Sequence, residues 1–493
     1  MSKRRSKESL AGKTARASVV VLFAQGGGLV LQLLSIVLLS RVLEPTDFGL
    51  FAMCVVVIGA SEIFQNLGLS SATVQVDEIS RQQQSNLFWV NVCMGGVLFC
   101  ILFFFSSTIA ILFNEVKLTR MLQVASPVIP LSAIAAQHAA NLKREVKVGK
   151  LALIELISST LSLLVALVSG LMGSGYWALI YGILARTLSR TLMLTYSSGF
   201  KPQLPCLKTD MQKMFVFGKD VTLYNILEYI HRNVDNYLIA RFLGAGSLAL
   251  YSRAYSLITV ALRACKSVSF GVFFPILSGL KNSTEEYSQY YSNMARVVCV
   301  VAGLISALTF SMSEEIVSLA LGDGWEAVSP ILQLFSIVLF LQIIDLNRNV
   351  VLLSLGEGKL YARSGGLQAL LSAIGIGCGL PWGILGVSLG YTIANALSFI
   401  VLFAYCMRGT PIHFGLTMRA LAFPCLVGVA SSYTALRLNS EFLKTETTMG
   451  SFFVKTLIIV VIFLLLVLLH PAYRSDAGKL MRNLQNRRNR LKV

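Results

Sequence analysis

Charge is what this chain has least of. Only 13% of its 493 residues are Asp, Glu, Lys or Arg, against 55% hydrophobic ones and a mean hydropathy of +0.70. Soluble domains carry roughly a quarter charged residues, and a chain of this length would split into about three of them. Each would need a polar coat that is not available here. Soluble enzyme, secreted scaffold and disordered protein are therefore excluded. Cysteine patterning is lacking too. The nine cysteines show no C-x-x-C spacing, and all but Cys206 lie in apolar runs, so they read as small core residues and not as a disulfide framework or zinc site. The four histidines, His138, His231, His413 and His470, are too dispersed for a metal site. No G-x-x-x-x-G-K-[ST], H-E-x-x-H or G-x-S-x-G motif occurs, and no connection is long enough to house a catalytic domain. Neither an enzyme nor a cofactor is expected, and ATP-driven transport would need a separate subunit.

What is present is a succession of apolar runs, each near the roughly 20 residues that a membrane helix needs. The pattern predicts an all-α polytopic membrane protein of about 14 transmembrane helices. The first seven lie near 17–42, 48–69, 86–113, 118–142, 151–172, 175–197 and 216–243. The rest lie near 248–272, 293–312, 326–354, 364–381, 384–407, 414–437 and 452–470. The first run is too long for the apolar core of a cleaved signal, and more spans follow, so it is an uncleaved helix. The net charge of +18 sits mainly in short segments between runs, which points to membrane topology and not to nucleic acid. Lys and Arg gather at both termini and in the even-numbered connections, as with Lys143, Arg144, Lys147 and Lys150 in the fourth. Short positive segments stay cytoplasmic, so both termini are placed inside. The acidic outer segment from Glu314 to Glu326 reads as a solvated loop, and the basic segment after His470 as a cytoplasmic tail on anionic lipid.

One internal repeat is visible. Leu38-Leu-Ser-Arg-Val-Leu-Glu-Pro-Thr-Asp-Phe-Gly-Leu-Phe51 aligns without gaps on Leu238-Ile-Ala-Arg-Phe-Leu-Gly-Ala-Gly-Ser-Leu-Ala-Leu-Tyr251. Six spans separate the copies, an even number, so the two halves have the same orientation. Parallel repeats of this kind build transporters with the site between halves. The predicted organisation is a basic N-terminus (1–16), an N-lobe of six spans (17–200), a cytoplasmic linker (201–215) and a C-lobe of six spans (216–410). Two extra C-terminal helices (411–470) and a basic tail (471–493) complete it.

These repeats also carry a resemblance. Residues 39–51, followed by Leu67-Gly-Leu-Ser-Ser-Ala, resemble the polysaccharide-export flippases of the MOP superfamily. So do Val234-Asp-Asn-Tyr-Leu-Ile-Ala-Arg-Phe-Leu-Gly244 leading into Leu250-Tyr-Ser-Arg-Ala-Tyr255, and Gly322-Asp-Gly-Trp followed by Pro330-Ile-Leu-Gln-Leu-Phe-Ser336. The chain looks most like the Wzx-type transporters of the colanic- and teichuronic-acid branch. The resemblance implies a fold of two pseudo-symmetric six-helix lobes like that of MATE exporters and the lipid II flippase. It also implies translocation of an undecaprenyl-diphosphate-linked glycan across the bacterial inner membrane, with membrane lipids, a polysaccharide polymerase and export machinery as partners.

Charges inside apolar runs are costly, at about 2.5–3.5 kcal/mol each on insertion scales, and mark candidate sites. In the seventh span Asn225, Glu228, Arg232, Asp235 and Asn236 fall within about 100° of one helical face. They either line a cavity or neutralise one another, since Glu228–Arg232 and Arg232–Asp235 have pairing spacings. Asp345 and Arg348, with Gln342, repeat the choice in the tenth span. Glu62 shares a face with Gln65 and Asn66 and is either a proton carrier or a neutral acid hydrogen-bonded to a neighbour. The cations Arg186, Arg190, Arg253, Arg263 and Lys266 suit an anionic lipid carrier, because guanidinium binds diphosphate through paired N–H donors. For Arg190, Arg263 and Lys266 the alternative is snorkelling to headgroups.

The expected substrate-binding set is thus Arg186, Arg232, Arg190, Arg253, Arg263, Lys266, Arg348 and Asn225. The H⁺- or Na⁺-coupling candidates are Glu62, Glu228, Asp235 and Asp345. The expected mechanism is alternating access of two lobes around a cationic central cavity. The competing readings are a MATE-type cation or drug antiporter, a lipid II flippase, and a membrane glycosyltransferase or polymerase.

Overall fold

The computed structural model describes residues 23–76, 79–206, 210–412, 414–438 and 448–469. The expected basic N-terminus and the basic tail lie outside the described residues. Among the described residues every regular element is helical. In chain order these are α1 (Phe23–Ser40), α2 (Pro45–Asn66), α3 (Leu69–Gln75), α4 (Arg81–Phe104), α5 (Ser106–Phe113) and α6 (Lys117–Ala125). Then come α7 (Val128–Arg144), α8 (Val148–Leu171), α9 (Trp177–Ser198), α10 (Gln212–Val268), α11 (Phe274–Leu280) and α12 (Thr284–Ser311). The last are α13 (Ser313–Ala320), α14 (Val328–Ser354), α15 (Gly358–Gly379), α16 (Gly383–Met407), α17 (Phe414–Leu438) and α18 (Thr448–Leu469). Among the described residues, eleven stretches are long and apolar enough on their own to cross a membrane. Two of them, of 49 and 50 residues, run through α10–α11 and through α15–α16. The molecule is a multi-pass membrane protein.

Local chemistry sets the helix ends. Ser80 Oγ accepts from Gln83 N (3.1 Å) while Gln83 Oε1 accepts from Ser80 N (2.8 Å), so two orphan amides at the start of α4 are satisfied reciprocally. Pro45 opens α2, where its missing N–H costs nothing. Pro127 separates α6 from α7 within what the hydropathy reads as one span. At Gly244 the backbone takes φ 81° and ψ 179°, a conformation essentially reserved for glycine, and α10 kinks there. The two repeat copies therefore both lie at helix junctions, one at 41–44 and one at Gly244. They also touch: a Cβ added to Gly49 would fall 1.8 Å from Ala245 O.

Contacts divide the chain into two compact units between Ser252 and Arg253, within α10. In the first unit α7 packs on α4 and α9, and α8 pairs with α9. The part of α10 before the division packs on α2, where Tyr229 Oη donates to Val56 O at 2.6 Å. The extended segment 201–206 is strapped to one face of α4. Gln82 Nε2 donates to Leu204 O (2.8 Å), Trp89 Nε1 to Gln203 O (2.8 Å), and Asn86 exchanges two hydrogen bonds with the Cys206 backbone. In the second unit α14 is the central pillar, two-thirds buried, with α12 and α16 against it. The α15–α16 hairpin closes on glycine: a Cβ on Gly375 would meet Gly390 O at 2.4 Å, and one on Gly379 would meet Gly386 O at 2.3 Å. Backbones approach this closely where side chains are absent.

The acidic segment from Glu314 to Glu326 is not simply a solvated loop. It forms α13, whose Glu315 is buried, and runs on to Trp325, which is fully buried. Glu315 accepts hydrogen bonds from Ser451 Oγ (2.7 Å) and Lys455 Nζ of α18. A lysine on an otherwise apolar helix needs a partner, and the acid supplies it.

Candidate functional site

In the first unit, five charged side chains line one cavity: Glu62, Lys143, Glu155, Arg186 and Arg190. This cavity of about 760 Å³ is lined by α2, α3, α7, α8 and α9, a volume within the usual range for ligand pockets. Glu62, Gln65 and Asn66 of α2 all line it, as do Arg186 and Arg190 one turn apart on α9. Three residues predicted for different roles thus share one chamber: the two cations, and the acid proposed for ion coupling. Ser132 of α7 donates to Glu62 Oε1 at 2.9 Å, so the acid is held by a neighbouring helix. The guanidiniums of Arg190 and Arg186 lie close enough to act on it electrostatically. Gln65 is buried, and its Nε2 finds no protein acceptor among the described residues.

Two further charges line the cavity that the sequence reading passed over. Lys143 stands near the end of α7. Glu155 of α8 faces both arginines, with Oε1 2.5 Å from Arg190 Nε and Oε2 3.4 Å from Arg186 Nη2. About half of the Arg186 side chain remains exposed, against 28% for Arg190. The signal for Glu155 was available: it is the only charged residue between Lys150 and Arg186. Among the described residues, three cations against two acids line the chamber, an excess of positive charge, and none of those lining it is aromatic.

The remaining candidates are dispersed. Arg232 and Glu228 form an i,i+4 ion pair at 2.6 Å on α10, and neither lines the cavity. Asp235 instead accepts from Asn236 N (2.7 Å) and from Tyr251 Oη (3.3 Å). Asn225 is half-buried and also lies outside the cavity lining. In the second unit Arg253 sits over the Trp325 ring, 5.9 Å from its centroid. Arg263 and Lys266 are exposed on α10, the latter beside Phe270. Asp345 and Arg348 form a closed, buried pair at 2.8 Å, with Arg348 Nη2 also donating to Gln368 at 3.2 Å. A second, apolar cavity of about 350 Å³ lies among α12, α14 and α17, walled by Phe310, Ile337, Phe340, Val429, Tyr433 and Leu436.

This geometry suits an anion. Guanidiniums bind phosphate oxygens through paired, charge-assisted hydrogen bonds. Among the described residues no cluster of His, Cys, Asp or Glu is arranged to hold a metal ion.

Comparison with known proteins points the same way. The family described as "Polysaccharide biosynthesis protein" matches residues 38–330. The chain is 25% identical over 409 residues to the lipopolysaccharide biosynthesis protein WzxC of Escherichia coli (strain K12), covering 81% of each. It is 25% identical over 441 residues to the teichuronic acid biosynthesis protein TuaB of Bacillus subtilis (strain 168), covering 85% of this chain and 88% of that one. Its structure is similar to that of the lipid II flippase MurJ in an inward closed conformation. The TM-score is 0.73 at 15% identity, over 94% of this chain and 99% of that chain. It is also similar to an inward-facing multidrug resistance MATE transporter of the MOP superfamily, with TM-score 0.60 at 15% identity over 80% and 95%. At such identities the structural likenesses establish a shared fold.

Proposed function

Because this chain belongs to the polysaccharide biosynthesis protein family, we propose that it is a flippase for an undecaprenyl-diphosphate-linked oligosaccharide repeat unit. It would carry that unit across the bacterial inner membrane for surface-polysaccharide assembly. The observation that carries this is the cationic chamber of the first unit, where Arg186, Arg190 and Lys143 share one cavity. A diphosphate diester carries two negative charges, and the chamber offers paired guanidinium donors for them. The polyprenyl tail stays in lipid.

In this account the chain crosses the membrane fourteen times with both termini in the cytoplasm. The chamber opens alternately to the two faces, and inward-lying cations draw the headgroup in from the cytoplasmic side. Energy comes from the membrane potential or from H⁺ or Na⁺ exchange, with Glu62 the acid best placed to couple ion movement to the headgroup. A MATE-type exporter of cationic drugs calls for acidic and aromatic walls; among the described residues, those lining this chamber include more cations than acids and no aromatic side chain.

The test is the fate of lipid-linked oligosaccharide in cells lacking the protein. Mass spectrometry of extracted membranes is expected to find an undecaprenyl-diphosphate repeat unit accumulating on the cytoplasmic side, relieved when the gene is restored. Intact surface polymer with no accumulation would move the weight to drug export. Lysis on depletion would favour lipid II as the cargo.

A further inference from the structure

Among the described residues, Glu155 is placed as no other acid is. Its two carboxylate oxygens are divided between two guanidiniums, Oε1 at Arg190 Nε and Oε2 at Arg186 Nη2. Among the described residues it is the only group either guanidinium hydrogen-bonds. A phosphoryl group entering the chamber seeks those same donors. The other acid on the cavity wall, Glu62, is instead held by Ser132.

Resting on the flippase reading, we propose that Glu155 is a built-in counter-ion that the substrate's phosphate must displace from Arg186 and Arg190. It thereby sets both the affinity for the headgroup and the ease of its release. Two facing needs explain the design. Empty, the chamber holds two neighbouring guanidiniums whose like charges repel; Glu155, paired with both, compensates them. Loaded, a diphosphate gripped by two free arginines would bind too tightly to leave. A tethered carboxylate is a competitor at high effective concentration, so it reclaims the arginines as the headgroup departs. Its side chain is 36% exposed, leaving it room to swing aside, and Lys143 on the same wall offers an alternative partner while the arginines are engaged.

The test uses the purified full-length protein and farnesyl diphosphate as the probe, with affinity read by isothermal titration calorimetry. Glu155→Gln is expected to bind the probe at least tenfold more tightly than the wild type. In reconstituted vesicles the same variant is expected to flip a fluorescent polyprenyl-diphosphate sugar more slowly at saturating lipid. Arg186→Ala/Arg190→Ala is expected to lose at least tenfold in affinity. If Glu155→Gln binds equally or less tightly while the arginine variant still loses affinity, Glu155 only positions the arginines and the counter-ion proposal is overturned. If the arginine variant binds as the wild type does, the flippase chamber itself is wrong. Should Glu155→Gln fail to fold, Glu155→Asp serves, because its shorter carboxylate cannot span both guanidiniums. It is expected to bind more tightly than the wild type, and equal or weaker binding would overturn the proposal.

Discussion

A charged side chain in an apolar helix announces itself, because hydrocarbon tolerates it only beside water, a partner or a ligand. That rule was enough to single out Arg186, Arg190 and Glu62 from the sequence, and all three line one chamber. It does not say which neighbour a charge will choose. Arg232 had two acids at permitted spacings, and in the folded chain it takes Glu228 while Asp235 turns to Tyr251. Spacing along one helix cannot decide between partners that both fit. Glu155 obeyed the same rule and stood alone in the apolar part of α8 beyond Lys150, with its partners 31 and 35 residues away on another helix. A search for several polar residues on one face passes over such a residue. Asp345 and Arg348 illustrate the opposite outcome, a pair closed on itself and buried. Removing one member of a buried pair strands the other, at about 3–5 kcal/mol, whereas replacing both with apolar residues is often neutral. Arg348→Met is therefore expected to destabilise the protein by about that amount, and Asp345→Leu/Arg348→Met to recover most of the loss, as read by thermal unfolding in detergent. If the double variant unfolds no later than the single one, the pair is not closed on itself.

Among the elements, helices with continuous apolar runs were the legible part. The runs reappear as helical segments, because in hydrocarbon only internal hydrogen bonding satisfies the backbone, but their bounds differ. The runs 86–113 and 118–142 are each divided between two helices, and 216–243 and most of 248–272 fall in α10, kinked at Gly244. The short elements were not legible. Residues 313–320 are acid-rich at their start and read as solvent-facing, yet α13 buries Glu315 against Lys455 and Ser451 of α18. That partner lies 140 residues downstream, beyond any local pattern. The strap at 201–206 lies within the segment 201–215 read as a linker; its attachment to α4 was not legible, because the bonds come from side chains of α4 to its backbone and leave no periodicity in the strap itself.

The α13–α18 clasp has a pH signature. Burial pushes the Glu315 carboxyl up, but hydrogen bonds from Lys455, Ser451 and its own backbone outweigh it and hold the carboxyl below its ordinary value. A folded-state value below the unfolded one, about 4.3 for Glu, contributes stability that is fully present above that value. The contribution is lost as pH falls through the folded value. The difference in melting temperature between wild type and Glu315→Gln is thus expected to be constant above about pH 5 and to shrink below about pH 4. A difference that grows on acidification would contradict the clasp.

For the whole molecule, composition alone excluded every soluble class, and the two copies of the repeat lie at helix junctions, one at 41–44 and one at Gly244. What composition could not supply is where the charges meet, since that depends on which faces of α2, α7, α8 and α9 turn inward together. The account rests on that meeting point. The measurement that tests it most directly is the flipping rate of a polyprenyl-diphosphate oligosaccharide in vesicles reconstituted with wild type or with Arg186→Ala/Arg190→Ala. Each hydrogen bond to a charged group is worth roughly 1.5–3 kcal/mol, so losing both arginines is expected to slow flipping by about a hundredfold or more while the protein still folds and reconstitutes. A double variant that flips the lipid at the wild-type rate would show that the chamber is not where the headgroup crosses.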